Sequence, residues 1–319
     1  MPGHDCGHSG EEEEEEAECG QDARGGVAFS YAELHAATKG FKEKLGSGGF
    51  GVVFRGVVGA GDAGAGDGKK EEEEEEELGK RPIRAASGPS LLVAVKMLHR
   101  LDEGDKQFRA EVRTIGTIQH VNLVRLLGFC SEGKHRLLVY EMAENGSLDH
   151  LLFNGKPASS VSILPWARRF QIALGAARGV AYLHESCREC IIHCDIKPEN
   201  ILLDATFMVK VADFGLAKLV GREFSHVLTT LRGTRGYLAP EWIAGMPITS
   251  KADVYSFGMT MLEIISGQRN IRDNVQSYSS FFPLAAAKII HQPDADLASL
   301  VDPRLEGMYE LCQLNHTSF

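Results

Sequence analysis

Residues 193–200 read His193-Cys194-Asp195-Ile196-Lys197-Pro198-Glu199-Asn200, and Asp213-Phe214-Gly215 follows a short distance on. No other feature constrains the chain as tightly. It puts a carboxylate, an ammonium and a carboxamide in one short loop, with a second carboxylate close behind. Upstream lie Gly46-Ser47-Gly48-Gly49-Phe50-Gly51-Val52-Val53 and Val93-Ala94-Val95-Lys96, and downstream lies Ala239-Pro240-Glu241. A lone Gly-x-Gly-x-x-Gly says little. Five pieces in this order describe one composite site in a fold that closes a cleft.

The residue types in that order suit phosphoryl transfer. Gly46, Gly48 and Gly51 carry no Cβ, so backbone amides can close over a polyphosphate. The loop sits between two strands and not ahead of a helix, which argues against a dinucleotide-binding fold and a Walker loop. Lys96 ends an apolar strand, and a buried ammonium needs partners. Glu111, beside Val112 and one turn from Phe108, is the candidate, with phosphate oxygens of ATP supplying the rest. Asp195 is the candidate base, orienting an acceptor hydroxyl and taking its proton. Lys197 would offset charge growing on the γ-phosphate. Asn200 and Asp213 offer hard oxygen ligands that suit Mg2+. Thr234, in Gly233-Thr234-Arg235-Gly236-Tyr237, sits where a hydroxyl could bond both Asp195 and Lys197, which points to serine or threonine acceptors. Ser225, Thr229 and Thr230 are candidate phosphorylation sites.

The bulk of the chain agrees with a globular protein that has room for two lobes: 319 residues, 43% hydrophobic and 24% charged. The net charge of −10 owes much to Glu11–Glu16 and Glu71–Glu77. Nothing resembles a basic nucleic-acid footprint, so no nucleic-acid partner is expected. Seven cysteines without secreted-framework spacing suggest reduced thiols and a cytoplasmic setting. Cys187-Arg188-Glu189-Cys190 lacks the further ligands a zinc or redox site needs. His4, Cys6, His8 and Cys19 would bind metal only adventitiously. No signal peptide, bilayer-spanning apolar run or myristoylation pattern is visible, so no membrane anchor is expected.

Residues 1–28 read as a disordered acidic tail. Ser30 and Glu33 form a capping-box pattern, predicting a helix over Ala32–Thr38. A hairpin is expected over Leu45–Val58, a flexible acidic insert over 59–90, and a third strand over Leu91–Leu98. A helix is expected over 105–118, then strands over Leu123–Cys130 and Arg136–Glu141. These make a five-stranded lobe over 29–142. Ser147 should cap a helix holding Leu148, Leu151 and Leu152. Helices over 166–184 and 252–266 dominate a second lobe over 143–307, and 308–319 form a separate tail.

The phrases Phe29-Ser30-Tyr31-Ala32-Glu33-Leu34, Leu138-Val139-Tyr140-Glu141-Met142, Asn145-Gly146-Ser147-Leu148-Asp149 and Gly233–Trp242 resemble the plant receptor-like serine/threonine kinases. That group is related to Pelle and the interleukin-1-receptor-associated kinases. Cys190–Asn200 is most similar to the G-type lectin S-receptor-like branch, and the likeness covers roughly 29–307. It implies an α+β, two-lobed protein-kinase-like fold and ATP- and Mg2+-dependent transfer to protein Ser/Thr hydroxyls. It implies that nucleotide is held by Gly46, Ser47, Gly48, Gly49, Phe50, Gly51, Val53, Ala94, Lys96, Glu111 and Leu202. Tyr140 would be the gatekeeper, with a hinge at Glu141-Met142 and a regulatory column of Leu126, Ile115, Phe214 and His193. A receptor-kinase partner is a further implication, at the inner face of the plasma membrane.

Three departures from the family pattern follow. Cys194 replaces the arginine usual before the catalytic aspartate, a non-RD pattern that this branch shares. A thiol cannot pair with a phosphorylated activation segment, so that control should be weakened. The chain resembles an intracellular part alone. Beyond Gly307 the family's closing helices, which carry a partner for the Glu241 position, are replaced by Met308–Phe319. Glu241 is therefore expected to be a buried, unpaired charge costing about 3–5 kcal/mol, in an incomplete, destabilised lower lobe. The alternative function is a kinase-shaped binding module or decoy without turnover.

Overall fold

Valine- and leucine-rich segments pair into one curled sheet in the computed structural model, which describes residues 26–49, 51–59, 90–99, 101–153, 163–220, 227, 232–271, 282–292 and 296–309. The strands are β1 (Val27–Ala28), β2 (Lys44–Gly48), β3 (Gly51–Val58), β4 (Leu91–Leu98), β5 (Leu126–Cys130) and β6 (Leu137–Glu141), in spatial order β1-β5-β6-β4-β3-β2. The five expected strands are joined by β1, which runs parallel to Gly128 and Phe129. Gly128 makes that approach possible, because a Cβ there would meet the Val27 carbonyl oxygen at 2.1 Å. The described fold thus begins ahead of Phe29. Most of the tail and insert (1–25 and 60–89), Phe50, Ser225, Thr229, Thr230 and residues 310–319 lie outside the described residues.

The period-2 alternation of β4 sorts the lobe into two faces. Val93 and Val95 point to one side and are fully buried with Leu34, Leu137 and Val139. Leu34 comes from α1 (Tyr31–Ala37), which has both halves of the expected capping box: Glu33 N–H donates to Ser30 Oγ at 3.2 Å, and Ser30 N–H donates to Glu33 Oε2 at 2.7 Å. Ala94 and Lys96 face the other side, toward α2 (Leu101–Ile115). There Phe108 and Ile115 pack with Leu126, Leu138 and Tyr140. α2 starts earlier than expected and stops at Ile115, where Gly116 and Thr117 turn the chain. Leu123 and Val124 are not part of β5. Leu123 forms an isolated bridge to Val211, and Val124 N–H donates to Val211 O at 2.9 Å, so both are committed to the lower lobe.

The lower lobe is mainly helical: α3 (Leu148–Phe153), α4 (Trp166–Ala181), α5 (Pro240–Ile243), α6 (Lys251–Ser266) and α7 (Phe282–Ile290). Two small antiparallel sheets pair β8 (Ile201–Leu203) with β9 (Val209–Val211), and β7 (Cys190–Ile192) with β10 (Lys218–Val220). The helix expected over 166–184 passes into a π-helical turn at Tyr182–Ser186. Ser147 does not cap α3 as expected; its hydroxyl donates to Asp149 Oδ1 at 2.6 Å. Arg169 of α4 is buried but fully engaged. Nε donates to Leu164 O at 2.9 Å, Nη1 to Ile264 O at 2.8 Å and Nη2 to Asp302 Oδ2 at 2.6 Å. The Asp302 carboxylate also accepts from Arg304 and so binds residues 302–304 to the lobe. Glu241 is half-exposed at the start of α5, not buried, so water solvates it and the penalty expected for a buried lone charge does not apply.

The glycines of the β2–β3 hairpin divide by role. A Cβ on Gly46, Gly48 or Gly49 would meet nothing within 4 Å, whereas one on Gly51 would lie 2.3 Å from the Met97 carbonyl oxygen. Gly51 is therefore required by sheet packing, whatever it does for a phosphate. Gly51→Ala should destabilise the chain by about 1–3 kcal/mol, while Gly48→Ala should stay within about 0.5 kcal/mol of the parent. Urea melts of the two variants check this, and equal midpoints would contradict it.

Candidate active site

Lys96 leaves β4 on the α2 side and its ammonium meets two carboxylates. Nζ lies 2.6 Å from Glu111 Oε1 and 2.8 Å from Asp213 Oδ1. Glu111 is fully buried and its second oxygen accepts from the Tyr140 hydroxyl. Burial alone would lower the Lys96 pKa, but Asp213 and Glu111 outweigh it and hold the ammonium charged. Burial likewise pushes Asp213 up, and Lys96 more than reverses that, so Asp213 stays ionised below its ordinary range. Glu111, deeper and facing Asp213, is raised by burial despite Lys96. One cation thus fixes the inward position of α2 and the Asp213 carboxylate together.

The second group is built on the loop after β7. Asp195 is buried, and its carboxylate accepts from Lys197 Nζ at 2.7 Å, Thr234 Oγ1 at 2.8 Å and Asn200 Nδ2 at 2.9 Å. Lys197 Nζ also donates to Thr234 Oγ1 at 2.6 Å. The sequence-based placement of Thr234 between Asp195 and Lys197 matches this geometry. Backbone conformation at the site is unusual: Cys194 and Asp213 have φ of 71° and 67°, in the left-handed region that costs a non-glycine residue about 1–2 kcal/mol.

A residue outside the recognised motifs holds the Cys194 conformation. Asp253, buried in α6, accepts from His193 N–H at 2.7 Å and Cys194 N–H at 2.8 Å, and contacts His184 Nε2 at 2.8 Å. His193 in turn accepts at Nδ1 from Asp195 N–H at 3.2 Å, and its Nε2 lies 3.1 Å from Ala212 O. Those two contacts assign the neutral tautomer with the proton on Nε2. The His193 ring packs on Phe214 with centroids 4.9 Å apart. Phe214, Ile115 and Leu126 are buried in one hydrophobic cluster, which His193 touches through Phe214.

The remaining candidates fall around these groups. Val53 pairs with both Gly46 and Lys96, which sets the glycine hairpin over the lysine. Ala94 pairs with Tyr140 across β4 and β6. Glu141 ends β6, its carboxylate 2.9 Å from Lys210 Nζ, and Met142 follows half-buried. Leu202 lies on β8 with one face partly open. Ser47 pairs with Val52 near the hairpin tip, next to Gly48 and Gly49. Two oxygens suit a hard cation. Asn200 donates through Nδ2 to Asp195, which leaves its amide oxygen as an acceptor. Asp213 gives only Oδ1 to Lys96. This donor set fits Mg2+.

The protein kinase domain family matches residues 83–304, about two thirds of the chain, including both groups around Lys96 and Asp195. The chain belongs to the protein kinase family. Its similar relatives include two G-type lectin S-receptor-like serine/threonine-protein kinases of Arabidopsis thaliana. They are 58% identical over 280 residues and 53% identical over 289, each alignment covering 88% of this chain. A G-type lectin S-receptor-like serine/threonine-protein kinase of Oryza sativa subsp. japonica is 48% identical over 246 residues, 76% of this chain. The chain spans 26–32% of the length of these relatives. No helix among its described residues is long and apolar enough to cross a membrane.

Two residues that position the kinase site carry no local motif signal. Asp253 sits inside an apolar helix, where a lone aspartate in the pattern Ala252-Asp253-Val254 was the available hint. Glu263, also in α6, accepts from the Tyr237 hydroxyl at 2.6 Å and from Asn270 N–H at 2.8 Å. Those bonds fasten the segment that carries Thr234. Stripping Asp253 leaves two buried amides without acceptors. Asp253→Ala should therefore cost about 3–5 kcal/mol and lower the melting temperature clearly. A melt within 2 °C of the parent, on the order of 0.5 kcal/mol, would contradict it.

Burial pushes Glu263 up to about 7 even though Tyr237 and Asn270 favour its charged form. A carboxyl whose folded pKa is raised stabilises the fold fully below its unfolded value. That contribution is lost as pH rises through the folded value. Between pH 5 and 8 the chain should lose on the order of 2–3 kcal/mol at this group. Glu263→Gln should flatten that part of the profile in thermal melts across the range.

Proposed function

We propose that this chain transfers the γ-phosphoryl group of ATP to serine and threonine hydroxyls of protein substrates, in receptor-like kinase signalling. The observation that carries this reading is the convergence of Lys96 on Glu111 and Asp213 while Lys197, Asn200 and Thr234 hold Asp195. Asp195 is the base: it orients the acceptor hydroxyl and takes its proton at a carboxylate oxygen. Lys197, already bonded to Asp195 and Thr234, offsets charge that grows on the transferred group. Lys96 binds the nucleotide phosphates. The glycine hairpin from Gly46 to Gly51 covers them, and Ala94, Tyr140, Glu141, Met142 and Leu202 line the base. Asn200 and Asp213 hold Mg2+, which offsets phosphate charge when bound.

Thr234 supports Ser/Thr acceptors, because a hydroxyl between Asp195 and Lys197 marks where a short acceptor side chain reaches the base. The non-RD pattern goes with the Cys194 environment. Its thiol is buried and donates to Ile192 O at 3.5 Å, so the side chain at this position offers no cation to a phosphorylated activation segment. The substrates of such a kinase are cytoplasmic proteins, and a receptor kinase is the partner class that the relatives suggest. No specific observation favours the alternative of a decoy without turnover.

Transfer of labelled phosphate from Mg-ATP to a generic Ser/Thr protein tests the reading. Asp195→Ala should lower kcat by about 10²–10⁴-fold. Lys96→Met should raise KM for ATP. Equal incorporation by the parent and Asp195→Ala would sink the proposal.

A further inference from the structure

Arg136 joins the strand that carries Lys96 to the helix that carries Glu111. It immediately precedes β6, and its carbonyl accepts from the N–H of Leu98, two residues beyond Lys96 on β4, at 3.0 Å. Its backbone is therefore tied to the lysine strand. Its guanidinium is held by its own loop, because Nη1 donates to Gly133 O at 2.8 Å and to His135 O at 3.0 Å. A side chain anchored in this way can set a distance, which a freely rotating one cannot.

From that base the guanidinium reaches α2 twice. Nε lies 2.5 Å from Asp105 Oδ1, and the guanidinium carbon lies 5.8 Å from the centre of the Phe108 ring. Asp105 Oδ1 is sealed from solvent and has no aligned hydrogen bond, so the guanidinium charge is what compensates it. Asp105, Phe108 and Glu111 follow one another at three-residue spacing, so each neighbours the next along the helix. Phe108 is buried, and its ring meets Phe129 of β5 edge-on with centroids 5.7 Å apart. The row thus runs from Arg136 through a packed ring to the carboxylate that meets Lys96 Nζ at 2.6 Å.

The Arg136–Asp105 pair is partly exposed, with 23% and 34% of the two side chains open to water, and a pair of that kind adds little stability. What it adds is position. An outward swing of α2 would part Glu111 from Lys96 and leave the ammonium to Asp213 alone. We propose that Arg136 is a positioning residue for nucleotide: it holds α2 inward so that Glu111 keeps Lys96 aimed at the phosphates. The inference rests on the phosphotransfer reading above and adds a residue that acts through its Lys96–Glu111 pair.

The test measures kcat and the KM values for ATP and for a generic Ser/Thr protein, together with the Kd for Mg-ADP by calorimetry. Arg136→Ala should raise the KM for ATP and the Kd for Mg-ADP about fivefold and leave the KM for the protein substrate unmoved. A variant that is merely less stable would hold fewer active molecules, which lowers apparent kcat and moves neither KM. Arg136→Lys, which keeps a charge beside Asp105, should recover part of the loss. Because Arg136 acts through Glu111, adding Arg136→Ala to Glu111→Gln should raise the KM for ATP less than about twofold further.

An unchanged KM for ATP in a folded Arg136→Ala variant overturns the proposal. So does the full rise on top of Glu111→Gln. If Arg136→Ala does not fold, Asp105→Asn takes its place, and an unchanged KM for ATP there overturns the proposal. A parent chain that binds Mg-ADP but transfers no phosphate sinks the phosphotransfer reading, and the Kd then decides: a rise in the variant upholds Arg136 and no rise sinks it. A parent that binds no Mg-ADP sinks both.

Discussion

Asp253 is the constraint on which the rest of the site depends. A buried carboxylate in the middle of α6 accepts two consecutive backbone amides, from His193 and Cys194. That arrangement compensates the left-handed backbone at Cys194, whose cost is about 1–2 kcal/mol for a non-glycine residue. The turn aims Asp195 into the cleft. The same anchor sets His193, which packs on Phe214, and Phe214 neighbours Asp213. A single charge on a rigid helix thus fixes both the candidate base and, through one aromatic contact, the candidate metal carboxylate.

The two lobes are joined at the site by charge as well as by packing. Lys96 from the sheet, Glu111 from α2 and Asp213 from the lower lobe form one buried cluster. Burial, with Asp213 adding to it, raises Glu111, whereas the Lys96 ammonium holds Asp213 below its ordinary range. Tyr140 adds a hydroxyl from β6 to the Glu111 side, so the helix is held from the strand as well as from the lysine. Removing the lysine would leave two buried anions facing each other, a far larger penalty than the loss of one hydrogen bond.

The lower lobe uses the same device away from the cleft. Arg169 gives every guanidinium nitrogen an acceptor, including Asp302, and Arg304 doubles that contact. Arg269 does the equivalent for Glu199 and Asp149 at the floor of the site. In each case a buried or half-buried carboxylate is paired with an arginine far away in sequence. Such pairs hold loops in place more than they add stability, since desolvation offsets much of the attraction.

Much was legible in the sequence because its signals are local. The capping box at Ser30 and Glu33, the alternation in Val93-Ala94-Val95-Lys96 and the loop from His193 to Asn200 are set by neighbours a few residues apart. The pairing of Lys96 with Glu111 and of Thr234 with Asp195 and Lys197 followed from charge and from motif resemblance. Element ends were less legible. Leu123 and Val124 read as strand but bond to Val211, and Ser147 reads as a cap but bonds to Asp149. Val27 and Ala28 read as tail but find a seat on the bare backbone of Gly128. Each of these depends on a partner brought near only by folding. The sequence by itself determined which groups do the chemistry, because their types and order are written along the chain. Only the tertiary structure decided that Asp253 anchors the loop, that Glu241 meets water and that Arg269 covers Glu199, because those outcomes depend on burial and distance between segments remote in sequence.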